Sequence, residues 1–350
     1  MDVGLRDFIL ERKRDVEQEY TIHLFEFCNL SCQFCWQDHN DIRGIDTVRS
    51  LMPKLGEMLS KESRNRVILN FMGGEIFAPK IFTQKLLEDY YYIIDCVKMW
   101  EVELKKKIVV NWVTNLVFEP GHRDLVKSLL NYASNLGVRS RLTTSYDALG
   151  RFNRGDLEKW KSNVEYFGSD IEGVSMLLSG PNIRNLIKNR DKTFQWIYNS
   201  GLYIYFDYYM PDKTADYQAP SDQELYDAFV FLIDNYPRVH PVAEWINHSR
   251  NYASCRSSKL LLWDGTECMC GNLVQEEKSI KFYRSKIKTN DNSGIEENFL
   301  KKYDCVSCQW LDRCTFSCFM QHDNPYRDEF PDCVYARIFD YAHANDKLLA

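Results

Sequence analysis

Between Tyr20 and Met210 the chain alternates six short β-branched and aromatic runs with longer amphipathic ones, an order that few folds accept. The runs Thr21–Phe27, Val67–Met72, Ile108–Thr114, Val138–Thr144, Gly173–Leu178 and Leu202–Met210 have the length and composition of strands. Between and after them, Val48–Leu59, Ile81–Met99, Arg123–Leu136, Asp156–Tyr166, Asn182–Tyr198 and Asp222–Asn235 carry helical periodicity. Strand, helix, strand in this rhythm gives parallel pairing, because a parallel neighbour needs a long crossover. Six such units close most of a barrel, so the expected class is α/β, a partial (β/α)6 TIM-like barrel. Beyond Pro237 the texture changes to short apolar pieces broken by Cys, Gly, Asp and Asn, with a charged stretch from Gln275 to Asn298 read as a surface excursion. At 350 residues the chain is long for one core, and two domains are expected, residues 1–240 and 241–350.

The formal charge of −6 offers no field for a phosphate backbone, and nucleic acid is not an expected partner. No signal-like run opens the chain and no stretch nears the ~18 apolar residues of a membrane span, so the expected place is the cytoplasm, away from membranes. In a reducing compartment twelve cysteines point to metal rather than disulfides. Their distribution agrees: Cys28, Cys32 and Cys35 form a trio, Cys96 stands alone, and eight crowd between Cys255 and Cys333. Cys96 lies in an aromatic helical run and is expected to be a buried apolar side chain.

The trio reads C-x3-C-x2-C directly after the first predicted strand. Loops after barrel strands form the active-site face, so three thiolates there would meet a substrate cavity. Three thiolates can hold three irons of a [4Fe–4S] cubane and leave the fourth open. A zinc knuckle, with His39 as a fourth ligand, is the alternative. Gly73-Gly74-Glu75 at the end of the second strand favours the cubane when read together with the trio.

Together these segments resemble the radical S-adenosylmethionine (radical SAM) superfamily, with Phe34 at the aromatic position of its cysteine motif. The resemblance spans the six units and implies that Cys28, Cys32 and Cys35 hold a cluster whose open iron takes S-adenosyl-L-methionine. It further implies that Gly73, Gly74 and Glu75 bind the methionyl amine. Ile76 stands where most relatives of this type have Pro. By the same resemblance Asn115 and Ser145, at the ends of the third and fourth strands, are cofactor contacts, and Arg151 or Arg154 pairs with the cofactor carboxylate. Ordinary loop capping or solvated charge is the other reading of these four.

The C-terminal cysteines run Cys255-x9-Gly265-x4-Cys270, then Cys305-x2-Cys308-x5-Cys314-x3-Cys318, then Cys333. This resembles the SPASM domain at all seven cysteine positions. The resemblance gives Cys255, Cys270 and Cys318 to a first auxiliary cluster and Cys305, Cys308, Cys314 and Cys333 to a second. Cys268, two residues before Cys270, is a candidate fourth ligand of the first. Two ribbon-type zinc sites are the alternative.

The implied reaction is reductive cleavage of S-adenosylmethionine to a 5′-deoxyadenosyl radical that abstracts hydrogen from a substrate, with a one-electron donor such as flavodoxin or ferredoxin as partner. Three [4Fe–4S] clusters are implied, one at the cofactor and two auxiliary. The substrate expected first is a ribosomal peptide or protein side chain that is oxidised or crosslinked; the second is a small molecule that is dehydrogenated, epimerised or cyclised. A non-catalytic zinc-binding protein is the third reading. About 20 residues precede the first strand, too few for the leader-binding domain of many peptide maturases, and Gly271 stands where sulfatase maturases carry Asp. In the sixth strand, period-2 alternation sets Tyr203, Tyr205, Asp207 and Tyr209 on one face, and Asp207 is expected to accept a substrate proton or hold a substrate amine. Its alternative is an internal hydrogen bond.

Overall fold

The computed structural model describes residues 17–35, 37–209, 218–249, 259–268, 299–314 and 332–349. Six strands follow in chain order, β1 Gln18–His23, β2 Arg66–Met72, β3 Lys107–Val113, β4 Arg139–Ser145, β5 Ile171–Leu178 and β6 Tyr203–Tyr208, each parallel to the next. Two further strands, β7 Lys259–Leu262 and β8 Glu267–Cys268, extend the sheet, giving the order β6-β5-β4-β3-β2-β1-β7-β8. The sheet with its helical layer is the expected partial barrel, with β7 parallel to β1 and β8 antiparallel to β7.

Alternation decides which face meets the helices. Tyr20, Ile22, Val67, Leu69, Phe71, Ile108, Val110 and Trp112 are no more than 1% exposed. Burial of side chains of this size contributes about 1.5–3 kcal/mol each. Over them lie α1 Val48–Ser60, α2 Gln84–Glu103, α3 Arg123–Asn135, α4 Asp156–Phe167, α5 Gly180–Asn189, α6 Lys192–Asn199 and α7 Asp222–Asn235. Trp112 stacks on Phe71 at 5.2 Å and meets Tyr90 of α2 at 5.0 Å.

The opposite face lines the lumen and is polar. Thr143 Oγ1 donates to Asn111 Oδ1 at 2.6 Å, Asn111 Nδ2 to Asn70 Oδ1 at 2.9 Å, and Asn70 Nδ2 to Glu19 Oε2 at 3.4 Å, a ladder across four strands. Between β4 and β5 the register slips at Leu142/Thr143, which leaves Glu172 outside the ladder. Glu172 pairs with Arg141, and its other oxygen lies 3.7 Å from Arg139.

Two expectations are corrected. The single helix Asn182–Tyr198 is two, α5 and α6, because Arg190 is left-handed at φ 45° and the Asp191 side chain caps α6 by accepting from the Thr193 and Phe194 amides. Regular β1 pairing is assigned to Gln18–His23 rather than Thr21–Phe27. The sheet also gains Lys259–Leu262, which sequence reasoning left among short apolar pieces. The stretch Gln275 to Asn298 lies outside the described residues.

Beyond residue 240 the chain is tied to the barrel through sheet and core alike. After the short α8 Val242–Asn247, α9 Val334–Ala344 packs along α7, and Tyr335 meets Phe229 at 6.2 Å and Trp245 at 6.1 Å. Arg313 Nη1 donates to the Trp245 carbonyl at 2.9 Å. Among the described residues no helix is long and apolar enough to cross a membrane.

Candidate active site

The Cys28–Cys35 loop leaves the C-terminal end of β1, and the exit of β2 braces its lead-in. Past His23 the parallel pattern continues without regular strand geometry: Leu24 N donates to Met72 O at 2.8 Å, Gly74 N to Phe25 O at 2.9 Å and Glu75 N to Phe27 O at 2.8 Å. Only glycine permits this approach. A Cβ on Gly74 would lie 2.1 Å from the carbonyl oxygens of Glu26 and Phe27, and one on Gly73 would lie 2.5 Å from that of Phe25. Gln37 completes the brace by donating to Gly73 O at 3.0 Å, with His23 Nε2 at 2.7 Å. The two glycines, expected to meet a cofactor, also join the cysteine loop to the sheet.

Glu75 is 1% exposed, and its carboxylate serves its own chain. Oε1 accepts from Thr114 Oγ1 at 2.7 Å and from Phe77 N at 2.9 Å, and Oε2 accepts from Asn115 N. These occupy three of its roughly four acceptor positions. Burial pushes its pKa up to about 7 against the pull of these donors. By holding Thr114 and Asn115, Glu75 fixes the exit of β3. The Asn115 side chain then donates to Asn29 Oδ1 at 2.9 Å and approaches Cys28 Sγ at 3.7 Å. Leu30 N points at the same sulfur from 3.4 Å.

Cys32 is buried, while Cys28 and Cys35 are half-buried. Burial raises the Cys28 thiol to about 12, with Glu75, Cys32 and Cys35 pushing the same way. Burial likewise raises Cys32 to about 11, opposed by Arg151 and aided by Cys35 and Asp147. Three thiols that disfavour one another's ionisation form a donor set suited to positive charge. An iron cluster, which ionises its thiols outright and meets each on a different iron, fits it. Among the described residues no three His, Cys, Asp or Glu side chains are grouped to hold a single metal ion.

Arg151 is engaged with Asp147. Its Nε and Nη2 both lie 2.7 Å from Asp147 Oδ2, and its guanidinium sits 5.3 Å over the Phe34 ring. Asp147 Oδ1 in turn accepts from Leu177 N and Asn182 Nδ2, each at 2.9 Å. Sequence reasoning passed over Asp147; the signal was a carboxylate four residues before Arg151. Ser145 is half-buried at the end of β4, and Arg154 is exposed in the turn before α4. On β6, Ile204 and Phe206 are buried under the helices while Tyr203 and Asp207 open to the lumen, as the alternation predicts. Asp207 accepts from Ser175 Oγ. Tyr209 lies past the strand and is 2% exposed.

Away from the barrel mouth, Cys305, Cys308, Cys314 and Cys333 line one cavity of about 260 Å³, walled by Phe299, Tyr303 and Trp310 among others. Cys333 is the N-cap of α9, and the amides of Tyr335 and Ala336 point at its sulfur. Burial raises Cys305 to about 12, helped by Cys333 and Cys308. Cys268 is buried at the end of β8; Cys255, Cys270 and Cys318 lie outside the described residues. Cys96 is 6% exposed within α2, as expected of a packing residue.

No protein-family profile matches the chain, and no curated protein matches it in sequence. Solved structures do. AdoMet-bound native anSMEcpe superposes with a TM-score of 0.61 at 13% identity, over 93% of this chain and 97% of that one. The same protein bound to AdoMet and the Cp18Cys peptide gives 0.62 at 12% identity, over 94% and 98%. Streptococcus suis SuiB bound to its precursor peptide SuiA gives 0.43 at 15% identity, over 95% and 79%, a score too low to compare architectures. The chain shares the fold of anSMEcpe across nearly its whole length.

Proposed function

We propose that the chain is a radical SAM enzyme. The observation that carries this reading is the thiol trio on the first strand-end loop, braced by Gly73-Gly74 and approached at Cys28 by Asn115. In this reading Cys28, Cys32 and Cys35 hold a [4Fe–4S] cluster, with Asn115, Ser145 and the Asp147–Arg151 pair around the cofactor. When bound, cluster and S-adenosylmethionine supply one-electron cleavage to methionine and a 5′-deoxyadenosyl radical, fed by a donor such as flavodoxin or ferredoxin. The chain's own residues orient the partners: Phe34 and Arg151 form a wall beside Cys32, and Glu75 keeps β3 in register with the cysteine loop. Residues 1–240 carry this site and residues 241–350 carry two auxiliary clusters, the second in the cavity of Cys305, Cys308, Cys314 and Cys333.

A peptide or protein side chain is the proposed substrate, and the fold shared with a structure holding a peptide beside AdoMet supports it. A cytoplasmic location is part of the same proposal. Anaerobic reconstitution tests the core of it. The full chain is expected to bind about 12 irons and to form 5′-deoxyadenosine, and replacing the trio by Ala is expected to remove about four irons and all cleavage. A colourless protein with stoichiometric zinc, or cleavage that survives the triple replacement, would refute it.

A further inference from the structure

The charges that face the lumen do not balance. Arg151 is matched by Asp147, Arg139 and Arg141 by Glu172, and His240 by Glu244, whose Oε1 lies 3.0 Å from His240 Nδ1. Two carboxylates remain. Asp207 has Ser175 Oγ, and Glu19 has Asn70 Nδ2; neither has a cation within ion-pair distance among the described residues. Solvent reaches Asp207 through the open lumen, yet the surrounding protein raises its pKa by desolvation, Asp147 adds to the rise, and Ser175, His240 and Arg151 oppose it. Glu19 is also open to solvent, and the surrounding protein raises its pKa by desolvation, with Glu17 and Asp207 adding to the rise and Asn70 and Arg141 opposing it. Among the described residues, two carboxylates thus face the lumen at a cost and without an ion-pair partner.

On the same face of β6, one pleat apart, stand the rings of Tyr203 and Tyr205, stacked with centroids 6.2 Å apart. Tyr203, at the start of the edge strand β6, is 43% exposed, and its hydroxyl donates to Glu244 Oε1 at 3.3 Å. Aromatic faces beside a carboxylate attract a cation both through the ring quadrupole and by direct charge pairing.

We propose that the substrate enters this lumen through a positively charged group, an ammonium or guanidinium, that is held by Asp207 against Tyr203 and Tyr205, with Glu19 adding charge from the floor. This rests on the radical SAM reading of the site and adds the substrate's chemical class. A basic side chain of a peptide and the amine of a small molecule, such as an amino sugar, share this chemistry.

Binding to the full, reconstituted chain tests it with a matched pair: Nα-acetyl-arginine methylamide and its neutral isostere Nα-acetyl-citrulline methylamide. Wild type is expected to favour the cation at least about tenfold. Asp207→Asn is expected to bring the ratio close to one while iron content and melting temperature hold, and Glu19→Gln is expected to reduce it. Glucosamine in a parallel titration separates the sources: tighter binding of the capped arginine indicates a peptide side chain, tighter binding of the sugar a small molecule. Equal affinity for arginine and citrulline in wild type overturns the proposal, as does a preference retained in Asp207→Asn. Should that variant fail to fold, a full preference retained in Glu19→Gln and in Tyr203→Leu overturns it. Cleavage of S-adenosylmethionine is read in the same preparations: its absence in wild type refutes the underlying site, whereas normal cleavage without charge preference refutes this inference alone.

Discussion

Glu75 acts as a joint at the exits of β2 and β3. Its carboxylate accepts from Thr114, Phe77 and Asn115, so Gln in its place would turn an NH2 group toward a donor whichever way the amide is oriented. An unsatisfied buried pair of this kind costs about 1–3 kcal/mol. Glu75→Gln is therefore expected to lower the melting temperature of the apo protein, and a denaturation series checks it. The sign of the pH effect follows from the direction of the shift. The folded pKa of about 7 lies above the ordinary glutamate value of 4.5, so the folded state binds the proton more tightly. Stability from this group is present below pH 4.5, falls as the pH rises toward 7, and is flat beyond. Glu75→Gln is expected to flatten that part of the stability profile; an unchanged slope would assign it to other groups.

At the scale of elements, the six strands and most helices were legible because their periodicity is local. The helix Asp222–Asn235 was read to the residue, and its start carries a capping box in which Ser221 and Glu224 bond reciprocally. The break at Arg190 was not legible, since neither Gly nor Pro marks it and Asp191 is a cap only once the chain has turned. Nor was β7, because Lys-Leu-Leu-Leu is four residues long and its partner, β1, lies at the other end of the chain. Of the site, the cysteine loop and Gly-Gly-Glu were legible as spacing, whereas Asp147 and Asn29 matter through contacts that spacing does not encode. The cap of α9 gives a prediction at this scale. Cys333 meets two helix amides and lines the cavity shared with Cys305, Cys308 and Cys314. Cys333→Ala is expected to lose about four of roughly 12 irons while 5′-deoxyadenosine still forms. Iron analysis with a cleavage assay checks it, and a full iron complement would remove Cys333 as a ligand.

For the whole molecule, the region after residue 240 is part of the barrel's stability as well as a carrier of cysteines. Val334, Tyr335, Ile338 and Phe339 are no more than 1% exposed and share the core of α7 and α8. Losing four such side chains would remove several kcal/mol at about 1.5–3 each, against a typical total of about 5–15. Truncation after residue 240 would also bare the edge of β1. The truncated chain is expected to aggregate or to lose a cooperative melt, which size-exclusion chromatography and circular dichroism would detect; a monodisperse, cooperatively melting product would show that the barrel stands alone.

The register of β7 against β1 also sets an order of events during synthesis. Tyr20 pairs with Lys259, and the turn beyond β7 reaches back to the segment after the cysteine trio, where Thr47 Oγ1 donates to Trp263 O at 3.1 Å and Arg43 lies 5.3 Å over the Trp263 ring. At about 5–20 residues per second, the ribosome takes roughly 10–50 s to make this partner after Tyr20 has been added. For that interval the trio and its brace from β2 exist without the strand that pairs with β1 on its other side. A thiol reagent that reaches Cys28, Cys32 and Cys35 on the growing chain therefore meets them before β7 has joined β1.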